Sequence, residues 1–360
     1  MKINSIIIAC ITLLLTACGN NPQIIVCGTY TSTGSYGIYS LAFDPGSGEI
    51  SVIDSIAAEN PSYLAFSQSG NRIYAVGESG GNSCVYAMDF CPDTGQFSNI
   101  ISTSEVGADP CYIATAGKYI VTADYSGGSV SIFTDSLGCL THIRCDKFYG
   151  CGADSVRQSA PHIHCTMKSP DGNDLFVSDL GCDKVYHYDL RNGISLTDTI
   201  DFPAGFGPRH ITFTPDGKYA YTLGELSGDI MILDRTNNQR AFNTLTPRQS
   251  VVCDSLRVRA SGDIHVSPDG KFLYASNRRE GDGIRTYSIA PDGSISSISY
   301  TNTSKHPRNF LITPSGDFLL VASRDDNCIE IFRRNHSSGL LSPTEHTLPL
   351  PKPVCLIVYK

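Results

Sequence analysis

The feature that most constrains this chain is a cadence. A strand, a tight turn and a second apolar strand return about every 45 to 54 residues, at 60–77, 109–124, 160–179, 207–225, 261–278 and 306–324. The tail at 353–359 begins another copy and stops. Self-similarity at this period is the mark of a β-propeller, whose blades are each one repeat. A propeller gathers the first strand of every blade around one channel, so residues distant in sequence can meet there.

The copy Pro208-Arg209-His210-Ile211-Thr212-Phe213-Thr214-Pro215-Asp216-Gly217 shows the construction. Alternation of apolar and polar side chains gives a half-buried strand. Pro-Asp-Gly then turns the chain, because proline presets φ and glycine accepts a positive one. The same turn stands at Pro170-Asp171-Gly172 and Pro268-Asp269-Gly270, with Pro314-Ser315-Gly316 as a variant. Third strands are expected at 129–133, 184–188, 229–233, 283–288 and 328–332, each followed by a weaker fourth. The opening segment 24–51 has later strands but lacks the first-strand phrase, which the tail supplies. The expectation is an all-β, seven-bladed β-propeller of four-stranded blades. One blade is closed by pairing of the C-terminal strand with the N-terminal segment, which removes the exposed edges of an open array.

The first residues read as a leader. Lys2 precedes a short apolar run at 6–15, and Leu15-Thr16-Ala17-Cys18 resembles a bacterial lipobox. That run is too short to span a bilayer. The domain reading is therefore a signal peptide at 1–17, a lipidated linker at 18–23 and the propeller at 24–360. It implies lipidation at Cys18 and an exported protein, periplasmic or anchored at the outer membrane, touching membrane only through its lipid. A net charge of −8 without runs of Lys or Arg argues against nucleic acid. The fourteen cysteines fall mostly within apolar strands and contain no CxxC pair, so no metal site is expected. Cys139, Cys145 and Cys151 sit nearer turns and are the better disulfide candidates.

Superposing the repeats on their leading prolines isolates two rows that a scaffold does not require. After the proline stand Ser62, Cys111, His162, Arg209 and Arg308, with His164, His210 and His265 close behind. After the second strand stand Glu78, Asp124, Asp179, Glu225, Arg278 and Arg324. Asp124 and Asp179 can equally serve loop amides, and His210 can be a satisfied core histidine. The group His162, His164, Arg209, Glu225 and Arg278 is harder to explain by packing. A ring of this kind suits an anionic or carbonyl substrate.

At these positions the chain resembles the seven-bladed lactonase family. That family includes bacterial 6-phosphogluconolactonase and, among fungi, the carboxy-muconate lactonizing enzyme. The resemblance runs through Gly28-Thr29-Tyr30-Thr31, Asn60-Pro61-Ser62, Tyr125-Ser126-Gly127-Gly128, Arg157-Gln158 and Pro161-His162-Ile163-His164. It continues through Gly207-Pro208-Arg209-His210, Glu225-Leu226, Ile264-His265, Asn277-Arg278 and Pro307-Arg308-Asn309. It implies catalysis by His162 or His164 with Arg209, Glu225 and Arg278, and substrate binding by Arg157, Gln158, His210, His265 and Arg308. It implies a sugar-lactone substrate, phosphorylated or not, opened by activated water without a cofactor. The sequence departs at Ala322-Ser323-Arg324, where relatives commonly carry Ala-Asn-Gln. Two other activities stay open: a non-catalytic propeller binding a glycan or protein, and a lactonizing lyase or cycloisomerase.

Overall fold

Seven antiparallel sheets of four strands each form the described part of the chain. The computed structural model describes residues 22–136, 138–235, 246–252 and 260–359. The expected leader and Cys18 lie outside those residues. The innermost strands Pro61–Phe66, Pro110–Ala116, Ile163–Lys168, Pro208–Phe213, Ser261–Val266, Pro307–Ile312 and Pro353–Val358 touch their neighbours in a closed cycle.

The C-terminal strand Pro353–Val358 is the innermost of its blade and pairs with Gln23–Thr29, Cys27 facing Leu356. Gly37–Phe43 and Ile50–Ala57 complete that sheet. The ring therefore closes with hydrogen bonds between the two ends of the chain. Apolar residues pack from one blade into the next: Phe176 and Val185 meet Ile211, Ala220 and Leu233 between the third and fourth blades of the six continuous ones. A fully buried side chain of this size contributes about 1.5–3 kcal/mol.

The turns follow the sequence. Gly217 has φ of 69°, and the Asp216 carboxylate accepts from the Thr214 hydroxyl and the Lys218 amide. Ser169 with Asp171, and Ser267 with Asp269, repeat the contact.

One irregularity matters for the site. In every inner strand the register slips near its start, skipping Ser62, Cys111, His164, Arg209 and Arg308, the pair Gly262 and Asp263, and Val354. A bulge re-aims the residue it leaves unpaired.

The disulfide expectation is corrected, since every described cysteine is a free thiol. Cys139 and Cys145 share one exposed outer strand, Cys139–Lys147. Six residues at about 3.3 Å each put them about 20 Å apart, far beyond disulfide reach.

Candidate active site

The bulges and the strand ends build the channel in tiers. At the mouth, the amides of Glu78, Tyr125, Leu180, Glu225 and Arg324 donate to the carbonyls of Asn60, Asp109, His162, Gly207 and His306. Each bond ties the end of a second strand to the start of the inner strand beside it. Tyr30 makes the matching bond to Lys352 in the closing blade. Below the mouth come the bulged residues, and below them their successors Tyr63, Tyr112, Cys165, His210, Asp263, Asn309 and Cys355. Tyr63 and Tyr112 stack there at 3.8 Å between ring centres, with His210 edge-on to both.

The mouth opens on a cavity of about 490 Å³. Its wall carries Cys111, His164, Glu225, Arg278 and Arg308, with Arg157, Arg279, Lys305, His306 and Arg324 nearer the rim. Six guanidinium or ammonium groups face four carboxylates, Glu78, Glu225, Asp282 and Asp325. A local cationic excess on an acidic chain points to an anionic ligand.

Glu225 is the electrostatic centre. Its Oε2 accepts from Arg209 Nε at 3.0 Å and lies 3.2 Å from Arg278 Nη2, and its Oε1 accepts from Arg157 Nη2 at 2.7 Å. Burial raises its carboxyl, but Arg278, Arg209, His164 and Arg157 outweigh that and hold it well below the usual range. Arg278 also donates to the Ala260 and Ser261 carbonyls at 2.9 and 2.8 Å. Burial and the charge of Arg209 pull Arg278 down to about 9, so it is a cation at neutral pH.

His164 is 6% exposed, and its Nδ1 lies 3.7 Å from the Cys111 thiol. Burial and the nearby Arg209 push its pKa well below that of an ordinary histidine. Among the described residues its Nε2 has no hydrogen-bond partner. Arg308 likewise has neither ion pair nor hydrogen bond there; its guanidinium lies over the Tyr30 ring at 5.3 Å. Tyr30 donates to Glu78 at 2.8 Å.

The structure brings together His164, Arg209, Glu225, Arg278, Arg157 and Arg308. It separates His162 from His164, which strand alternation by itself would place on one face. His162 stacks on Tyr125 with its Nδ1 3.0 Å from the Tyr125 carbonyl, off the cavity wall. The Ser169-Pro170-Asp171-Gly172 turn aligns Ile163, not Pro161, with the leading proline, so His164 is the counterpart of Arg209. Arg209, 2% exposed, lies behind Glu225 rather than on the wall. Gln158 is fully buried and ties its loop to the turn after the strand Asp174–Asp179, donating to the Leu180 carbonyl and Asp183. His210 and His265 lie deeper, around Asp263. Asp124 takes three hydroxyls, from Thr122, Ser129 and Ser131, and Asp179 takes the amides of His162, Gly181 and Cys182. Sequence reasoning missed Tyr30, Tyr125, Asp263 and Asn309. The signal for Asp263 was its place beside a glycine where other blades carry the bulged side chain. Among the described residues, no group of three or more His, Cys, Asp or Glu is placed to hold a metal ion.

Comparison with known proteins agrees with this architecture. Residues 24–358 match the family described as Lactonase, 7-bladed beta-propeller. A 6-phosphogluconolactonase of Formosa agariphila is 37% identical over 325 residues, 85% of this chain and 90% of the relative. A crystal structure from Bacteroides fragilis, provisionally named 6-phosphogluconolactonase, is 38% identical with a TM-score of 0.90, covering 95% of this chain and 99% of that one. The periplasmic gluconolactonase of Pseudomonas aeruginosa is 27% identical with a TM-score of 0.86, covering 94% and 99%. The chain belongs to the seven-bladed lactonase family.

Proposed function

We propose that the protein hydrolyses an anionic sugar lactone, with a 6-phosphogluconolactone as first candidate, at the mouth of the channel. The observation that carries this reading is the unpartnered His164 Nε2 on one wall with Arg278 and an unpaired Arg308. Lactone opening needs a base for water, a cation for the carbonyl oxygen and a grip on the rest of the substrate.

In this reading His164 Nε2 accepts a proton as water attacks the lactone carbonyl carbon. Arg278 stabilises the charge that develops on the carbonyl oxygen. As the intermediate collapses, the ring C–O bond breaks and the histidine returns the proton to the leaving oxygen, giving a hydroxy acid. Glu225, held by three guanidiniums, is a weak base and serves instead to orient Arg278 and Arg157. Arg308 receives the anionic substituent.

The test is hydrolysis of gluconolactone with and without the 6-phosphate by purified protein, corrected for spontaneous opening. Enzyme-dependent hydrolysis favouring the phosphorylated lactone is expected; no acceleration of either would overturn the reading. The export expected from residues 1–18 is a second proposal. The Pseudomonas relative, a periplasmic gluconolactonase, supports it.

A further inference from the structure

Beneath Glu225 runs a buried chain of polar contacts that the proposed chemistry does not itself employ. Asp263, 1% exposed, accepts from every neighbour that reaches it. On Oδ1 these are His210 Nδ1 at 2.7 Å and the Ile264 amide at 2.9 Å. On Oδ2 they are His265 Nε2 at 2.8 Å, Asn309 Nδ2 at 2.6 Å and the Phe310 amide at 3.3 Å. Asn309 is itself oriented, because its carbonyl accepts from the Leu356 amide of the closing strand at 2.7 Å.

An ionised carboxylate can only accept, so the proton on His210 sits on Nδ1 and its Nε2 is a bare acceptor. Arg209 Nη1 lies 3.1 Å from that Nε2 and also donates to the Gly262 carbonyl. With Nε on Glu225, both ends of the Arg209 guanidinium are then fixed. Burial and the charge of Arg209 bring His210 down to about 4, against the pull of Asp263, so it stays neutral as this arrangement requires. The other groups facing its ring are His164, Tyr63 and Tyr112.

We propose that Asp263 and His210 are positioning residues: Asp263 fixes the His210 tautomer, His210 holds Arg209, and Arg209 sets the Glu225 carboxylate for the reaction at the mouth. The role rests on the lactonase reading, but the tautomer does not. Asp263→Asn removes the charge while keeping the shape. His210 is then free to carry its proton on Nε2, where it opposes the Arg209 donor.

The experiment has two independent readouts. Nitrogen-15 NMR of histidine-labelled protein at pH 7 is expected to show His210 neutral with its proton on Nδ1, and this signature to be lost in Asp263→Asn. A His210 that is cationic, or protonated on Nε2, in the unaltered protein overturns the inference whatever the activity. In kinetics on the preferred lactone, Asp263→Asn is expected to lower kcat by about 10²-fold with KM changed far less. His210→Gln, whose carbonyl can still accept from Arg209, should outperform His210→Leu by at least about tenfold. Equal kcat in the two His210 variants, at matched melting temperature, also overturns it. If the unaltered protein opens no lactone while the NMR signature holds, the proposed function fails and the tautomer assignment stands.

Discussion

His164 and Arg308 are the residues whose unsatisfied atoms define the site, and each gives a distinct expectation. His164 must be neutral to take a proton, and burial beside Arg209 keeps its pKa well below the ordinary 6.5. The rate should therefore stay level as pH falls through 6.5, where an unperturbed histidine base would already have lost half its activity. His164→Ala should lower kcat/KM by roughly 10²- to 10⁴-fold and remove whatever acid limb the full pH–rate profile shows. An acid limb centred at 6.5 would count against His164 as the base. For stability the sign is the same: the unfolded chain binds this proton more readily, so stability falls as pH drops below about 6.5. Arg308 makes no ion pair or hydrogen bond among the described residues, while Tyr30 and Glu78 at longer range favour its charged form against the cost of burial. A charge-assisted contact of about 1.5–3 kcal/mol corresponds to about 10- to 100-fold in binding. Arg308→Ala should raise KM for the phosphorylated lactone by that factor and leave the unphosphorylated one nearly unchanged. A uniform change for both substrates would show that Arg308 does not take the phosphate.

The inner strand is the element that turns a repeat into a site. Its bulge sends one side chain per blade into the channel, and in the fifth continuous blade that place is taken by Gly262 followed by Asp263. A methyl group on Gly262 would stand 2.4 Å from the Ser276 hydroxyl, 3.0 Å from the Pro307 carbonyl and 3.3 Å from the Arg278 side chain. Gly262→Ala should cost about 1–3 kcal/mol by overpacking, read from urea unfolding, and should lower kcat by displacing Arg278 and Arg209. A variant with unaltered stability and turnover would mean that this room is not needed. The blades, their turns and the closing strand were legible in the sequence because Pro-Asp-Gly and period-two alternation are local signals. The bulge was not: it is a register slip between two strands, and alternation alone assigns His162 and His164 to one face. Keying the superposition to prolines also failed at Pro161, since Ile163 starts that strand. The turn that follows was the better anchor. Arg209 and Glu225 were recognisable as unusual, but the burial of Arg209 behind the wall and of Glu225 on it depends on neighbours more than fifty residues away, Gly262 and Arg278 among them.

At the scale of the molecule, function depends on the ring remaining shut. Export by the leader proposed at 1–17 would put the propeller outside the cytoplasm. Cys18→Ala should then move it from the membrane fraction to the soluble one, and identical fractionation would remove the lipobox reading. Closure itself rests on one strand. Pro353–Val358 brings buried Val354, Cys355 and Leu356 against the neighbouring inner strands, and it hydrogen-bonds Gln23–Thr29 along its length. Deleting residues 353–360 would bare the backbone of Gln23–Thr29 as an edge and empty one-seventh of the channel wall. It would also remove the Leu356 amide that orients Asn309, and with it one support of Asp263. The truncated chain should lose its sharp thermal transition and associate on size-exclusion chromatography. Activity should disappear even at temperatures where strand content by circular dichroism persists, because Asp263, His210 and Arg209 are held from that side of the ring. A truncated protein that melts as sharply as the full chain, and still turns over lactone, would show that six blades can hold the site without the strand that joins the two ends.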